Sequence, residues 1–199
     1  MSRIIDVEHL DRAFESLAFR LQEAGAEAME IVVCGGSALI ALGLVLRATK
    51  DVDVVALMRD GSLVSPAPLP DVLLRAAREV AEDLGLDADW LNNGPSPGES
   101  GLYQMGLPKG FASRLQSTGY RDWLRVHYAS RYDQIHFKLF ASADRGGYHM
   151  DDLRALEPTP EELLAAARWT MTHDVSMGYA MVLGHLLRSL GHDDVAEAL

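Results

Sequence analysis

The sequence predicts an α+β fold, a mixed β-sheet flanked by helices and followed by a helical C-terminal part. Three observations lead there. Short apolar, β-branched runs alternate with helical periodicity up to about residue 130. Beyond that point only helical patterns occur, which divides the chain into an α/β core at 1–130 and a helical region at 131–199, expected to pack on the core. With 48% hydrophobic and 24% charged residues over 199 positions, the chain has the balance of a globular protein and enough apolar material for a core.

The elements follow in order. Val7, Leu10, Phe14, Leu17 and Leu21 recur at helical spacing, with Asp6 placed to cap the helix and Gly25 to stop it. Residues 31–34 are short, apolar and β-branched, a buried strand ended by Gly35-Gly36-Ser37. Residues 38–44 suit a short helix, 52–57 the next strand, and SPAPLP at 65–70 a loop. Residues 71–84 form an amphipathic helix stopped by Gly85. The stretch 87–119 contains NNGPSPGESG and reads as mostly loop with short strands, long enough to suggest a functional role. LRVHYA, 124–129, is the last strand, and 133–144 is helical. Thr159-Pro160-Glu161-Glu162 is a capping box with proline at the first helical position, opening a helix to about residue 172. A further helix at 175–190 ends at Gly191, before a short helical tail.

Bulk chemistry excludes several function classes. A formal net charge of −11 argues against broad affinity for nucleic acid, which requires displacing counterions from phosphates. Cys34 is the one cysteine, so neither an internal disulfide nor a CxxC metal framework can form. The charged opening MSRIIDVEHLDRAF has no apolar leader core, and no run is apolar enough to span a membrane; a cytoplasmic location is the expectation. His127, His136, His149, His173, His185 and His192 form no HExxH pattern and read as structural or surface residues. Trp90, Trp123 and Trp169 fit core or interface packing better than stacking on a base. Tyr120, Arg121, Arg125 and Arg131 form a basic–aromatic cluster that either receives an RNA or, the preferred reading, lies as solvated charge beside the sheet. Met171, Met177, Met181, Val182 and Leu186 describe a helical core face, or one that docks a partner.

The chemistry concentrates in IVVCGGSALIALGLVLRATKDVDVV, 31–55. Residues i and i+2 of a strand share a face, so Asp51 and Asp53 project together while Val52 and Val54 anchor the strand. Two like charges that close raise each other's proton affinity, and a divalent cation relieves this. Oxygen-only ligands suit Mg²⁺, which also binds substrate phosphates. Two such ions about 4 Å apart stabilise attacking and leaving oxygens in a displacement at phosphorus. Gly35 and Gly36 allow a sharp turn and the close approach of a phosphate, and Ser37 follows at the start of a helix. No GK[ST], GxGxxG or GxSxG pattern accompanies them.

GGSALIALGLVLRATKDVDVV resembles the signature of the DNA polymerase β-like nucleotidyltransferase superfamily, in which a GG[ST] corner precedes a DxD strand. More narrowly, the chain resembles the bacterial AbiEii-like and DUF6036-type nucleotidyltransferases associated with toxin–antitoxin systems. Arg47, Thr49, Asp51, Val52 and Asp53 match their R-x-T-x-D-[IV]-D run. FKLFASADRGGYHMDDL, 137–153, is similar to a later family element through Lys138, Leu139, Ala141, Arg145, Asp152 and Leu153, with altered spacing, and DWLNN at 89–93 also looks like the family pattern. The resemblance implies Mg²⁺-dependent transfer of a nucleoside monophosphate from an NTP to an acceptor hydroxyl on RNA, a protein or a small molecule. It implies metal binding by Asp51 and Asp53, and substrate binding by Gly35, Gly36, Ser37, Arg47 and Thr49. Lys138 would be the cation on the phosphates or the transition state; a solvated helical lysine is the alternative. The superfamily's third carboxylate and metal ligand would be Asp89, with Asp87 as the alternative, since LRVHYA carries no acid. If neither faces Asp53, the acceptor hydroxyl lacks its general base, leaving a weak or inactive, partner-binding (antitoxin-like) module.

Overall fold

Asp6 opens the first helix. Its carboxylate accepts the amide hydrogen of His9 (2.9 Å), α1 runs Val7–Glu23, and the chain then turns through Gly25 at φ +62°. The structure, a computed structural model describing residues 4–199, continues with β1 (Met29–Cys34), α2 (Gly35–Ala41), β2 (Val52–Arg59), β3 (Ser62–Val64), α3 (Asp71–Leu84), β4 (Leu91–Asn92), α4 (Leu102–Met105), β5 (Gln116–Tyr120) and β6 (Leu124–Tyr128). Helices α5 (Arg131–Arg145), α6 (Tyr148–Ala155), α7 (Pro160–His173), α8 (Met177–Ser189) and α9 (Asp193–Glu197) complete it. The fold is α+β, with a mixed six-stranded sheet. Two compact units divide between Ser130 and Arg131.

In the first unit the strands lie in the order β3-β2-β1-β6-β5. β1 and β6 run parallel, and the other pairs on this path are antiparallel. β4 adds in parallel to the start of β2, pairing Val52 with Leu91 and Asp53 with Asn92. One sheet face supplies Ile31, Val33, Val52, Val54, Leu57, Leu124 and Val126 to a core completed by Leu10, Phe14 and Leu17 of α1 and Leu73 and Val80 of α3. Each such side chain contributes about 1.5–3 kcal/mol when fully buried. Trp90, fully buried, closes this core: its indole N–H donates to the Ala77 carbonyl (2.8 Å) and its ring lies 6.2 Å from that of Phe14. The β1–β2 ladder carries a bulge. Val32 pairs with Ala56 and Val33 with Val54, so Val55 has no opposite number.

In the second unit Arg131 ties the start of α5 to the connection before α7. Its guanidinium donates to the carbonyls of Leu156 (2.8 Å) and Glu157 (2.7 Å) and to the Glu162 carboxylate (2.7 Å). The capping box of α7 forms as the sequence predicts, with Glu162 N–H donating to Thr159 Oγ1 and Thr159 N–H to Glu162 Oε2.

Among the elements that depart from the sequence reading, three show why. β5 falls in the stretch taken mainly as loop; as the last strand of the sheet, with four of its five residues exposed, it lacks apolar alternation. α6 is short and charged and follows Gly146-Gly147, both at φ +61°. The short helix expected at 38–44 starts earlier, at Gly35, and ends at Ala41.

Candidate active site

The glycine corner and the carboxylate strand meet. β1 and β2 are antiparallel and Cys34 pairs with Asp53, so the chain leaves β1 directly beside that aspartate. Gly35 makes the corner at φ +69°, a left-handed conformation. A Cβ on Gly35 would stand 2.6 Å from Asp53 Oδ2, so only glycine leaves room for the carboxylate. A Cβ on Gly36 would stand 2.8 Å from Thr49 Oγ1 and 3.1 Å from an Arg47 guanidinium nitrogen. Thr49 is held by reciprocal backbone hydrogen bonds with Ile5 (2.7 and 2.9 Å), and its hydroxyl lies 3.3 Å from Asp51 Oδ1. Arg47 also donates to the Ala48 carbonyl (3.0 Å). Gly35, Gly36, Arg47, Thr49, Asp51 and Asp53 thus surround one corner. Asp53 of β2 and Asp51, the residue just before that strand, are half-buried while Val52 and Val54 are fully buried.

Ser37 is placed differently from expectation. It is fully buried and its hydroxyl donates back to the Cys34 carbonyl (3.3 Å). Because the helix already begins at Gly35, Ser37 lies inside its first turn, and its side chain serves that turn rather than an anion.

Asp89 lies exposed in the turn before β4, and Asp87 precedes it, half-buried. The residue in register with Asp53 is Asn92. Its side-chain carbonyl accepts the Gly94 N–H (2.7 Å), and a Cβ on Gly94 would come within 4.0 Å of Asp53 Oδ1. An amide, not a carboxylate, therefore stands in register with Asp53. Among the described residues no three His, Cys, Asp or Glu side chains gather as a metal-holding group. Sequence reasoning missed Asn92 and Gly94 as site residues, since the parallel β2–β4 register is not written in local spacing; the NNG turn was the available signal.

The Gly/Pro-rich segment after β4 is pinned along β2 and β3. Asn93 Nδ2 donates to the Pro66 carbonyl (2.9 Å), and buried Ser96 donates through Oγ to the Val55 carbonyl (3.0 Å). Tyr103 donates through its hydroxyl to the Leu63 carbonyl (3.0 Å) and Gln104 to Ser65 Oγ (2.8 Å).

In the second unit Lys138 is buried, with Nζ 2.7 Å from Asp152 Oδ2, and both side chains are 5% exposed or less. The solvated-lysine alternative is excluded by that burial, and the ammonium charge is matched within its own unit. The cluster near the last strand also disperses. Tyr120 is buried with its hydroxyl 3.3 Å from that of Tyr128, and burial pushes its phenol well above the usual range. Arg121 lies over the Phe19 ring at 5.3 Å and 3.4 Å from Glu15, and Arg131 is engaged as described. Trp169 packs among His136, Phe137, Phe140 and His173.

Among the described residues no helix is long and apolar enough to cross a membrane. No protein-family model matches the chain, and neither does any curated protein or any solved structure.

Proposed function

We propose that the first unit carries a nucleotidyltransferase site that uses Mg²⁺ to move a nucleoside monophosphate from an NTP to an acceptor hydroxyl. The observation that carries this reading is the contact of Gly35 with Asp53, which joins a glycine corner to a carboxylate strand in a space no other residue would leave. Arg47 beside Gly36 adds a cation next to that corner. The donor set fits Mg²⁺, which is held by one or two carboxylates with water and phosphate oxygens completing its shell. Asp51 and Asp53 would hold it. When bound, the ion neutralises charge developing on the phosphates. The chain's own residues would position the triphosphate at the glycine corner, where the missing side chains of Gly35 and Gly36 let Asp53, Thr49 and Arg47 draw close. The acceptor, on RNA, a cognate protein or a small molecule, and the setting in a toxin–antitoxin pair rest on the resemblance alone.

Asn92 favours a second reading. Its amide cannot accept the proton of an acceptor hydroxyl as a carboxylate does. The same scaffold would then bind NTP with little turnover and act through a partner, in the manner of an antitoxin.

Incubation with each α-labelled NTP and Mg²⁺ separates the two. Transfer to an acceptor, falling at least about 100-fold in Asp53→Asn, supports the enzyme; transfer undiminished in both Asp51→Ala and Asp53→Asn rules out the site. Mg²⁺-dependent NTP binding without turnover, joined by turnover gained in Asn92→Asp, supports the second reading.

A further inference from the structure

Three side chains on adjacent strands form a hydrogen-bonded line outside the glycine corner. Ser117 of β5 lies opposite His127 of β6. His127 lies opposite Val32 of β1, two residues from Glu30 on the same face. Ser117 Oγ is 2.8 Å from His127 Nδ1, and His127 Nε2 is 2.6 Å from Glu30 Oε2. This face is the one opposite the Leu124 and Val126 core.

The protonation states follow from the partners. An ionised carboxylate has no proton to give, so Nε2–H donates to Glu30. In a neutral imidazole Nδ1 is then the acceptor, and the Ser117 O–H points at it. One tautomer satisfies both bonds, and it sets a base against a hydroxyl. The His127 side chain is 10% exposed while Ser117 is an exposed residue, so the base is shielded beside an accessible stretch of strand. Gly119, two residues along β5 on the same face, has open space where a side chain would stand. Arg125, exposed, lies opposite Gly119 and supplies a cation at that gap. As the last strand, β5 turns alternate backbone amides away from the sheet, donors of the kind that stabilise an oxyanion.

We propose that Ser117 is a nucleophile toward carboxylic esters, with His127 as its general base and Glu30 as the positioning residue. Ser117 Oγ bonds to the ester carbonyl carbon while its proton passes to His127 Nδ1. Collapse breaks the bond to the alcohol oxygen, which leaves with that proton, and an acyl-serine remains. Water then attacks the acyl carbon, giving its proton to Nδ1, and the carboxylic acid departs as Ser117 regains its hydrogen. The ring nitrogens exchange the roles they hold in the common serine triad, and either can serve because each carries an equivalent lone pair when unprotonated.

The test is labelling of the full chain with a fluorophosphonate probe and acetyl transfer from 4-nitrophenyl acetate, mapped by peptide mass spectrometry. The expected result is an adduct on Ser117, absent in Ser117→Ala, with labelling slowed about 100-fold in His127→Gln. Glu30→Gln, a change at a half-exposed side chain, should slow it about tenfold. Glu30→Asp should recover most of the rate that Glu30→Gln loses, a rescue that a structural role for Glu30 would not produce. No adduct on Ser117, or equal rates in wild type and a folded His127→Gln, overturns the proposal.

Discussion

At Gly35 two constraints fall on one residue: a positive φ and a carboxylate where a side chain would begin. Gly25 shares the first constraint (φ +62°) and has open space for the second. Gly25→Ala should therefore cost about 1 kcal/mol by backbone strain alone. Gly35→Ala should cost more and displace Asp53, which denaturant titration and Mg²⁺-dependent NTP binding would separate. Lys138 and Asp152 allow a different comparison. Lys138→Met strands a buried carboxylate and should lose about 3–5 kcal/mol, while adding Asp152→Leu should restore most of it. Equal losses in the single and double variants would refute the stranded carboxylate as the source of the loss. The sequence made the corner legible because Gly35, Gly36, Thr49, Asp51 and Asp53 lie on one short connection from β1 through α2 to β2. It hid the placement of Ser37 and Lys138, because an inward hydroxyl and a buried ion pair depend on surroundings that local spacing does not contain.

Among the elements, α7 was readable to its first residue, since a capping box is written in four consecutive letters. Its Glu162 does a second service with Arg131. Burial pushes the Glu162 carboxyl up, but hydrogen bonds from Arg131 and the Thr159 amide, with the guanidinium charge, outweigh it and hold the group below its usual 4.5. A carboxyl depressed by folding stabilises above its unfolded value and loses that contribution as pH falls through the folded one. The tie should thus be complete at pH 6 and fade as pH falls through the lowered folded value; NMR titration of Glu162 checks this, and a midpoint at or above 4.5 would refute it. β5 and the pinned segment after β4 were less readable. Their order comes from long-range backbone partners, such as Ser96 on Val55 and Tyr103 on Leu63, rather than from apolar periodicity.

For the whole molecule, the charge of −11 and the dispersal of Tyr120, Arg121 and Arg131 into structural contacts point the same way. Generic RNA should show no measurable retention at about 150 mM salt, where counterion release gives an acidic chain little affinity; retention with a steep salt dependence would contradict this. The fold class was legible because strand-like and helix-like patterns separate cleanly along the chain. The sheet order was not, because register between distant segments is a property of the assembled sheet.

The unpaired Val55 has a consequence for the acid pair. Leu57 and Val54 both reach the core although they stand an odd number of positions apart. In an uninterrupted strand, Leu57 would share its side with Val55 and Asp53. One supernumerary residue therefore inverts the parity of β2 halfway along, sending Val54 inward and Asp53 outward to the corner. The carboxylate owes its access to the corner and to solvent to a counting error built into its own strand, and Ser96, bonded to the Val55 carbonyl, is the latch that keeps it.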